Sequence, residues 1–235
     1  MARKKLVLIP AALAMLTLSG CSVVNDLYTS VEKDIENSKF EKKVGASQAY
    51  IDEANALMYE GDFAKAKTFL DKAYMLYPRQ ASLHHSYKEY YKFLGDQKLA
   101  DLASKRYEQM VVRSKALNEK GRYAMVEMDS LELAGDLFTL SIIYHDKNTA
   151  TLVNIATLGY TTGDYALAQS SLKMLSALGH MSPEASMIEF LVADALGDNK
   201  TMQIVKLIMK SAWPDSPQYK FVNTGELAPS IQLGS

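Results

Sequence analysis

The residues best suited to covalent or metal chemistry are one cysteine and four histidines. Cys21 is the sole thiol of the 235-residue chain. The histidines are His84, His85, His145 and His180, and none has a cysteine at the spacing of a metal site. The chain contains no His-Glu-x-x-His, no Gly-x-Ser-x-Gly and no phosphate-binding glycine loop. We therefore expect no enzymatic activity, no catalytic residues, no metal site and no cofactor.

Cys21 stands directly behind an apolar run. Arg3, Lys4 and Lys5 form a short positive head, and residues 6–18 are almost free of polar side chains. That run is shorter than the roughly 20 apolar residues of a membrane-spanning helix, but it fits the central region of an export signal. A lone cysteine in an exported chain has no internal partner for a disulfide. The alternative is an ordinary secretory signal with an incidental cysteine.

The sequence Leu-Ser-Gly-Cys at residues 18–21 resembles the bacterial lipoprotein signal. The resemblance implies removal of a signal peptide at residues 1–20 and lipidation of Cys21 by diacylglycerol and an N-acyl chain such as palmitate. Several acyl chains hold a protein stably on a membrane, whereas one does not. Ser22 stands where the inner-membrane retention signal commonly has aspartate. The resemblance thus implies a lipid anchor in the outer membrane, facing the periplasm.

The charge and composition favour a helical protein that does not bind nucleic acid. The formal net charge is −1, and loss of residues 1–20 removes three positive charges and no negative one, which leaves −4. A mildly acidic chain is poorly suited to neutralise phosphates. Glycine and proline are sparse, whereas alanine, leucine, lysine and glutamate favour helices.

Two kinds of residue recur with a period of 34. The dipeptide Gly-Asp occurs at residues 61–62, 95–96, 163–164 and 197–198. Alanine keeps the same phase at residues 66, 100, 134 and 168. Glycine tolerates left-handed backbone and aspartate caps a following helix, so each Gly-Asp predicts a turn between two helices. A period of this length is typical of a solenoid of helix pairs.

The period and residue types resemble the tetratricopeptide repeat. The resemblance implies an all-α, right-handed superhelix of about five helix pairs. The repeats are 47–80, 81–114, 115–148, 149–182 and 183–214, after a segment at 21–46 that carries the lipidated cysteine and acts as a tether or short helix. Residues 215–235 read as a brief cap and a loose tail. In the third repeat Asp129 replaces glycine and a second Gly-Asp follows at 135–136, so we expect two helices with a displaced or irregular turn.

In tetratricopeptide proteins, four positions of each first helix usually line the concave groove. Carried onto this chain, those positions predict a partner-binding groove of mixed character. Its candidate residues are Ile51, Asn55, Met58, His85, Glu89, Tyr123, Val126, Val153, Tyr160, Met187 and Leu191. The basic clamp that some family members use is missing, since Ile51 and Ala116 replace two of its cations. We expect recognition of an amphipathic helix or apolar segment instead.

An outer-membrane lipoprotein with this repeat resembles the type IV pilus biogenesis pilotin family. The likeness rests on the Cys21 motif, on "AYIDEANALMYEGDFAKAKTFLDKAYMLYP", on "GDYALAQSSLKML" and on the Trp213-Pro214 ending. It implies a non-enzymatic scaffold that binds a secretin, or another pilus-assembly protein, and helps it localise or oligomerise, with no nucleic-acid or small-molecule ligand. That family typically has six repeats, whereas five are found here. The alternatives are the lipoprotein of tight-adherence (Flp) pili and an envelope scaffold for barrel assembly or peptidoglycan enzymes.

A hydrolase on a helical scaffold is the competing class of function. It would require His85, Glu89 and Glu119 to converge in a closed pocket, whereas a binding scaffold would spread them along an open surface.

Overall fold

Residues 41–225 are described by the computed structural model of the chain. Within that range every regular element is an α-helix. The helices are α1 Glu41–Glu60, α2 Phe63–Leu76, α3 Ala81–Phe93, α4 Gln97–Val126, α5 Leu131–Tyr144, α6 Thr149–Thr162, α7 Tyr165–Ala177, α8 Pro183–Leu196, α9 Asn199–Ala212 and α10 Pro217–Thr224. The predicted all-α fold of helix pairs is confirmed for these residues. The predicted signal peptide, Cys21 and residues 226–235 lie outside the described residues.

The four Gly-Asp turns form as their sequence predicts. Each glycine has φ between 72° and 85°, in the left-handed region. Each aspartate then accepts a hydrogen bond from the backbone N–H three residues later, at 3.0–3.1 Å. The capped amides are those of Lys65, Leu99, Leu167 and Thr201. One dipeptide therefore ends the first helix of a pair and starts the second.

Small residues bring the two helices of a pair together. The in-phase alanines Ala66, Ala100, Ala134 and Ala168 are all buried. Gly159 of α6 sits so close to α7 that a Cβ there would lie 2.7 Å from the backbone nitrogen of Ala168. Backbone cannot move aside as a flexible side chain can, so the α6–α7 contact requires glycine at this position.

The pairs stack in two layers. In the layer of first helices, α1 contacts α3, α6 contacts α8, and α8 contacts α10. In the layer of second helices, α2, α7 and α9 each pack against the first helix of the next pair. Hydrogen bonds between residues 34 apart tie neighbouring pairs together. They run from Ser82 Oγ to Gln48 Oε1 (3.0 Å), from Asn148 Nδ2 to Ser114 Oγ (2.9 Å) and from Gln218 Nε2 to Glu184 Oε1 (2.8 Å). The repeat thus fixes the polar contacts as well as the apolar ones.

A hydrophobic core runs along the stack as four clusters. Fully buried large side chains mark them: Leu70 between α1, α2 and α3, Phe138 between α4 and α5, Leu175 beneath α8, and Met187 beneath α9 and α10. Each cluster joins one pair to the next, as a solenoid requires.

The long helix α4 departs from the 34-residue division. It runs for 30 residues without a break at 114 and 115, where one repeat was expected to end and the next to begin. The sequence around this junction, "VVRSKALNEK", holds no proline or glycine to end a helix. The following turn is irregular but not displaced: it contains Asp129, a non-glycine residue with φ of 50°, and Gly135 lies inside α5.

The helix α10 begins a sixth unit within residues 215–235, which were predicted to form a brief cap and a loose tail. Pro217 lies 34 residues after Pro183, and each follows a serine that caps its helix. Ser182 Oγ accepts from the Ala185 N–H at 3.2 Å, and Ser216 Oγ accepts from the Tyr219 N–H at 3.1 Å. Because α10 packs against α8 and α9, it stands in the place of a sixth first helix.

Candidate protein-binding surface

Four of the eleven predicted groove residues belong to the core. Ile51, Met58, Val153 and Met187 are all buried. Ile51 and Met58 lie on either side of Ala54, at i−3 and i+4, and therefore share the face that α1 turns toward α2. They contact the first core cluster rather than solvent. Their place in the groove is thus corrected: apolar side chains at these positions complete the contact between helices.

The other seven predicted residues are wholly or partly exposed. Asn55, His85, Tyr123 and Val126 are exposed, while Glu89, Tyr160 and Leu191 are half-buried. Two of the four exposed residues lie on the second half of α4, which serves as the first helix of the third pair, and α1 and α3 each contribute one. Tyr123 and Val126 are one turn apart on α4 and are exposed to 46% and 61%. The apolar part of the candidate surface therefore lies at the middle of the solenoid.

A row of aromatic rings adjoins His85. The His85 and Tyr107 ring centres are 5.9 Å apart, and Tyr107 meets His145 edge-on at 6.1 Å. The row links α3, α4 and the end of α5. Burial lowers the pKa of His145, with Lys147 and Lys115 acting in the same direction and Asp146 opposing them. His145 is therefore neutral at pH 7 and contributes an uncharged aromatic face.

A cleft of about 260 Å³ lies between α2, α3 and α4. Tyr74, Tyr87 and Tyr91 line it, with Tyr87 and Tyr91 stacked at 6.0 Å and Tyr74 edge-on to Tyr87 at 6.4 Å. This cleft was not predicted from the sequence. The tyrosine-rich run "HHSYKEYYKF" is the signal that would have pointed to it.

Asp71 supplies the polar part of the cleft lining and is itself exposed to solvent. The Tyr87 hydroxyl donates to Asp71 Oδ1 at 2.7 Å, and Lys67 Nζ donates to both carboxylate oxygens at 2.6 and 2.7 Å. Burial opposes ionisation of Asp71, but these donors outweigh it and leave its pKa below the ordinary value. Burial and the bond to Asp71 raise the pKa of Tyr87. Asp71 is therefore ionised, and it accepts hydrogen bonds from Tyr87 and Lys67.

The residues proposed for a hydrolase do not form a site. Glu89 pairs with Lys92 at 3.2 Å and Glu119 with Arg122 at 3.1 Å, each within its own helix. Among residues 41–225, no hydrogen bond or ion pair joins His85, Glu89 and Glu119.

His84, the neighbour of His85, packs inside the fold. His84 is buried, and its Nε2 lies 2.8 Å from the Pro78 carbonyl oxygen, to which it donates. Burial lowers the pKa of His84, which agrees with a packing role. The part of the chain that the structure covers holds no cluster of three metal-ligating side chains. None of its helices combines the length and the apolar character needed to cross a bilayer.

Comparison with known proteins gives distant structural neighbours. No protein-family model and no curated protein sequence matches the chain. One similar solved structure is that of Pseudomonas aeruginosa pilF, with 18% identity, a TM-score of 0.37, and coverage of 77% of this chain and 97% of the other. Another is PilW, described as a widely conserved type IV pilus biogenesis factor, with 15% identity, a TM-score of 0.28, and coverage of 76% and 98%.

Proposed function

We propose that this protein is a non-enzymatic, outer-membrane-anchored scaffold that assists pilus or secretion machinery by binding a secretin and helping it localise or oligomerise. The observation that carries the proposal is the pair of exposed side chains Tyr123 and Val126 on the second half of α4, which serves as the first helix of the third pair. In the preceding pair, exposed His85 of α3 packs against the partly exposed ring of Tyr107 on the first half of α4. Partly exposed aromatic and aliphatic side chains grouped in this way are typical of protein-binding sites.

The proposed anchor rests on the resemblance of residues 18–21 to the lipoprotein signal. Acyl chains on Cys21 would confine the solenoid to the membrane in which a secretin assembles, and confinement raises the effective concentration of such a partner. The segment from residue 22 to the start of α1 would reach at most about 65 Å if fully extended. Within that reach the solenoid can meet a partner in the same membrane without dissociating from it.

The first experiment tests the surface in cells. Tyr123→Ser and Val126→Ser are introduced together, and SDS-resistant secretin multimers are measured in isolated outer membranes. We expect the multimers to fall to the level of the gene deletion. The matched control is Val112→Ser, since Val112 is 66% exposed on the same helix but outside the predicted groove. Normal multimers in the double variant, with the protein present at its usual level, would refute the proposal.

The second experiment tests the anchor separately. Cys21→Ala should leave the fold intact, because the residue lies outside every described helix, but should release the protein from the outer-membrane fraction. If Cys21→Ala still fractionates with the outer membrane, the lipid anchor is wrong, whatever the outcome for the secretin.

A further inference from the structure

The second helix of the fifth pair exposes an apolar stripe. On α9, Ile204, Leu207 and Ile208 are exposed to 46%, 68% and 47%, while Val205 and Met209 on the opposite side are buried against α8 and α10. The three exposed residues are spaced i, i+3 and i+4, so they form one patch rather than scattered contacts. A patch of three large aliphatic side chains on a helix in water needs a covering surface.

The other pairs show that this stripe is particular to α9. Moving back by multiples of 34 residues gives the equivalent positions of the earlier second helices. They are Thr68, Asp71 and Lys72; Leu102, Lys105 and Arg106; Asp136, Thr139 and Leu140; and Ser170, Lys173 and Met174. Every earlier set contains at least one polar or charged side chain, and only α9 has three aliphatic residues. The repeat itself therefore does not require the stripe.

The charges on α9 itself are of one sign. The helix contains Lys200, Lys206 and Lys210 and no acidic residue. Lys200 lies one turn before Ile204 on the same face, and Lys210 is exposed beside Leu207. The neighbouring carboxylate, Asp198, is already engaged by Thr201, whose N–H and hydroxyl donate to it at 3.0 and 2.6 Å. Positive charge therefore borders the stripe at Lys200, which also interacts electrostatically with Asp198, and at Lys210.

We infer that α9 docks on the surface of an anionic lipid membrane. Aliphatic side chains enter the interface while the lysines reach the lipid phosphates, which is the arrangement of an interfacial amphipathic helix. Ile204, Leu207 and Ile208 lie on the exposed side of α9, so a membrane surface can approach the helix from that side. The like charges of Lys200 and Lys210 oppose pairing of two copies of α9. The inference does not depend on the lipid anchor or on the secretin.

The test uses residues 22–235, which contain every described helix and all four core clusters but lack the apolar run at residues 6–18. Binding is measured by co-sedimentation with vesicles of phosphatidylethanolamine and phosphatidylglycerol, and with vesicles of phosphatidylcholine alone. Ile204→Ser, Leu207→Ser and Ile208→Ser together should lower the partition coefficient at least about tenfold. Lys200→Gln with Lys210→Gln should lower it by about fivefold per lysine on anionic vesicles only.

The matched control alters the same positions on other second helices. Leu102 and Met174 correspond to Ile204 and Ile208 and are exposed to 46% and 40%. Leu102→Ser with Met174→Ser should leave vesicle binding unchanged. An equal loss in this control would show that general surface hydrophobicity, and not α9, is responsible, and would overturn the inference.

Two further outcomes would assign the stripe to another occupant. The stripe would be assigned to a second copy of the chain if the parent protein is dimeric in light scattering and does not bind vesicles, and if the triple variant is monomeric. A triple variant with a lower melting temperature than the control, again without vesicle binding by the parent, would assign it to another segment of this chain. Absence of parent binding to anionic vesicles refutes membrane docking in either case.

Discussion

A buried polar network between α4, α5 and α6 gives a sharp test of what joins the two halves of the solenoid. Ser141 Oγ donates to the Ser114 carbonyl oxygen at 2.8 Å and lies 2.8 Å from Thr151 Oγ1. Ser114 Oγ in turn donates to the Ser141 carbonyl oxygen at 2.8 Å and accepts from Asn148 Nδ2 at 2.9 Å. All four residues are buried. Ser141→Ala therefore removes the shared hydroxyl from a site that water cannot enter.

The expected cost follows from the bonds that are lost. A neutral hydrogen bond contributes about 1 kcal/mol net, and a buried hydroxyl left without a partner costs a further 1–3 kcal/mol or so. Ser141→Ala removes the bond to the Ser114 carbonyl and deprives Thr151 of its hydroxyl contact. We expect the free energy of unfolding to fall by about 2–4 kcal/mol, measured by urea denaturation followed by circular dichroism.

The matched control is Ser171→Ala. Ser171 is also buried, but its hydroxyl bonds only to the Leu167 carbonyl of its own helix at 3.1 Å. Its loss should cost no more than about 1 kcal/mol. Adding Thr151→Val to Ser141→Ala should recover part of the cost, because both partners then become apolar. Equal costs for the two serine variants, or strictly additive costs for Ser141→Ala and Thr151→Val, would refute the reasoning.

Three other perturbations test features of the fold. Gly159→Ala should lower the free energy of unfolding by about 1–3 kcal/mol in the same urea titration, because its Cβ would meet the α7 backbone. The control is Gly45→Ala, whose Cβ would meet nothing within 4 Å and which should raise the free energy of unfolding by up to about 1 kcal/mol. Asp164→Ala should cost about 1 kcal/mol through loss of its cap, and Asp164→Asn should restore most of it. Burial raises the pKa of Glu189, so the folded state still holds the carboxyl proton at pH values above the unfolded pKa of about 4.3. The stability of the fold therefore falls as the pH rises from the unfolded pKa through the folded pKa. Glu189→Gln should therefore raise the melting temperature by about 1–3 °C at pH 7, with the difference disappearing near pH 4.

The features that could be predicted from the sequence are those set by residue types with a strong local conformational preference. Glycine followed by aspartate has few conformations other than a turn with a cap, and alanine in phase with it marks the closest approach of two helices. The fold class and four turns could therefore be predicted without any tertiary information.

The features that it missed depend on what neighbouring helices do. Whether Ile51 or Asn55 faces solvent depends on where α2 and α3 lie, which the positions of a repeat template do not specify. The unbroken α4 was missed because the repeat template places a boundary at residues 114–115. Residues 111–120 contain no proline or glycine that would end a helix there. The sixth unit, by contrast, was visible in the serine–proline pairs at 182–183 and 216–217.

The unbroken α4 changes how the solenoid is expected to unfold. In an ordinary array each unit meets its neighbour at a loop, so the ends can fray one pair at a time. Here a single rod of 30 residues, about 45 Å long, belongs to two units at once. Melting either unit must break the same helix, and helix formation is cooperative along its length. The second and third units should therefore exchange their amide hydrogens as one block, with fraying from either end stopping at α4.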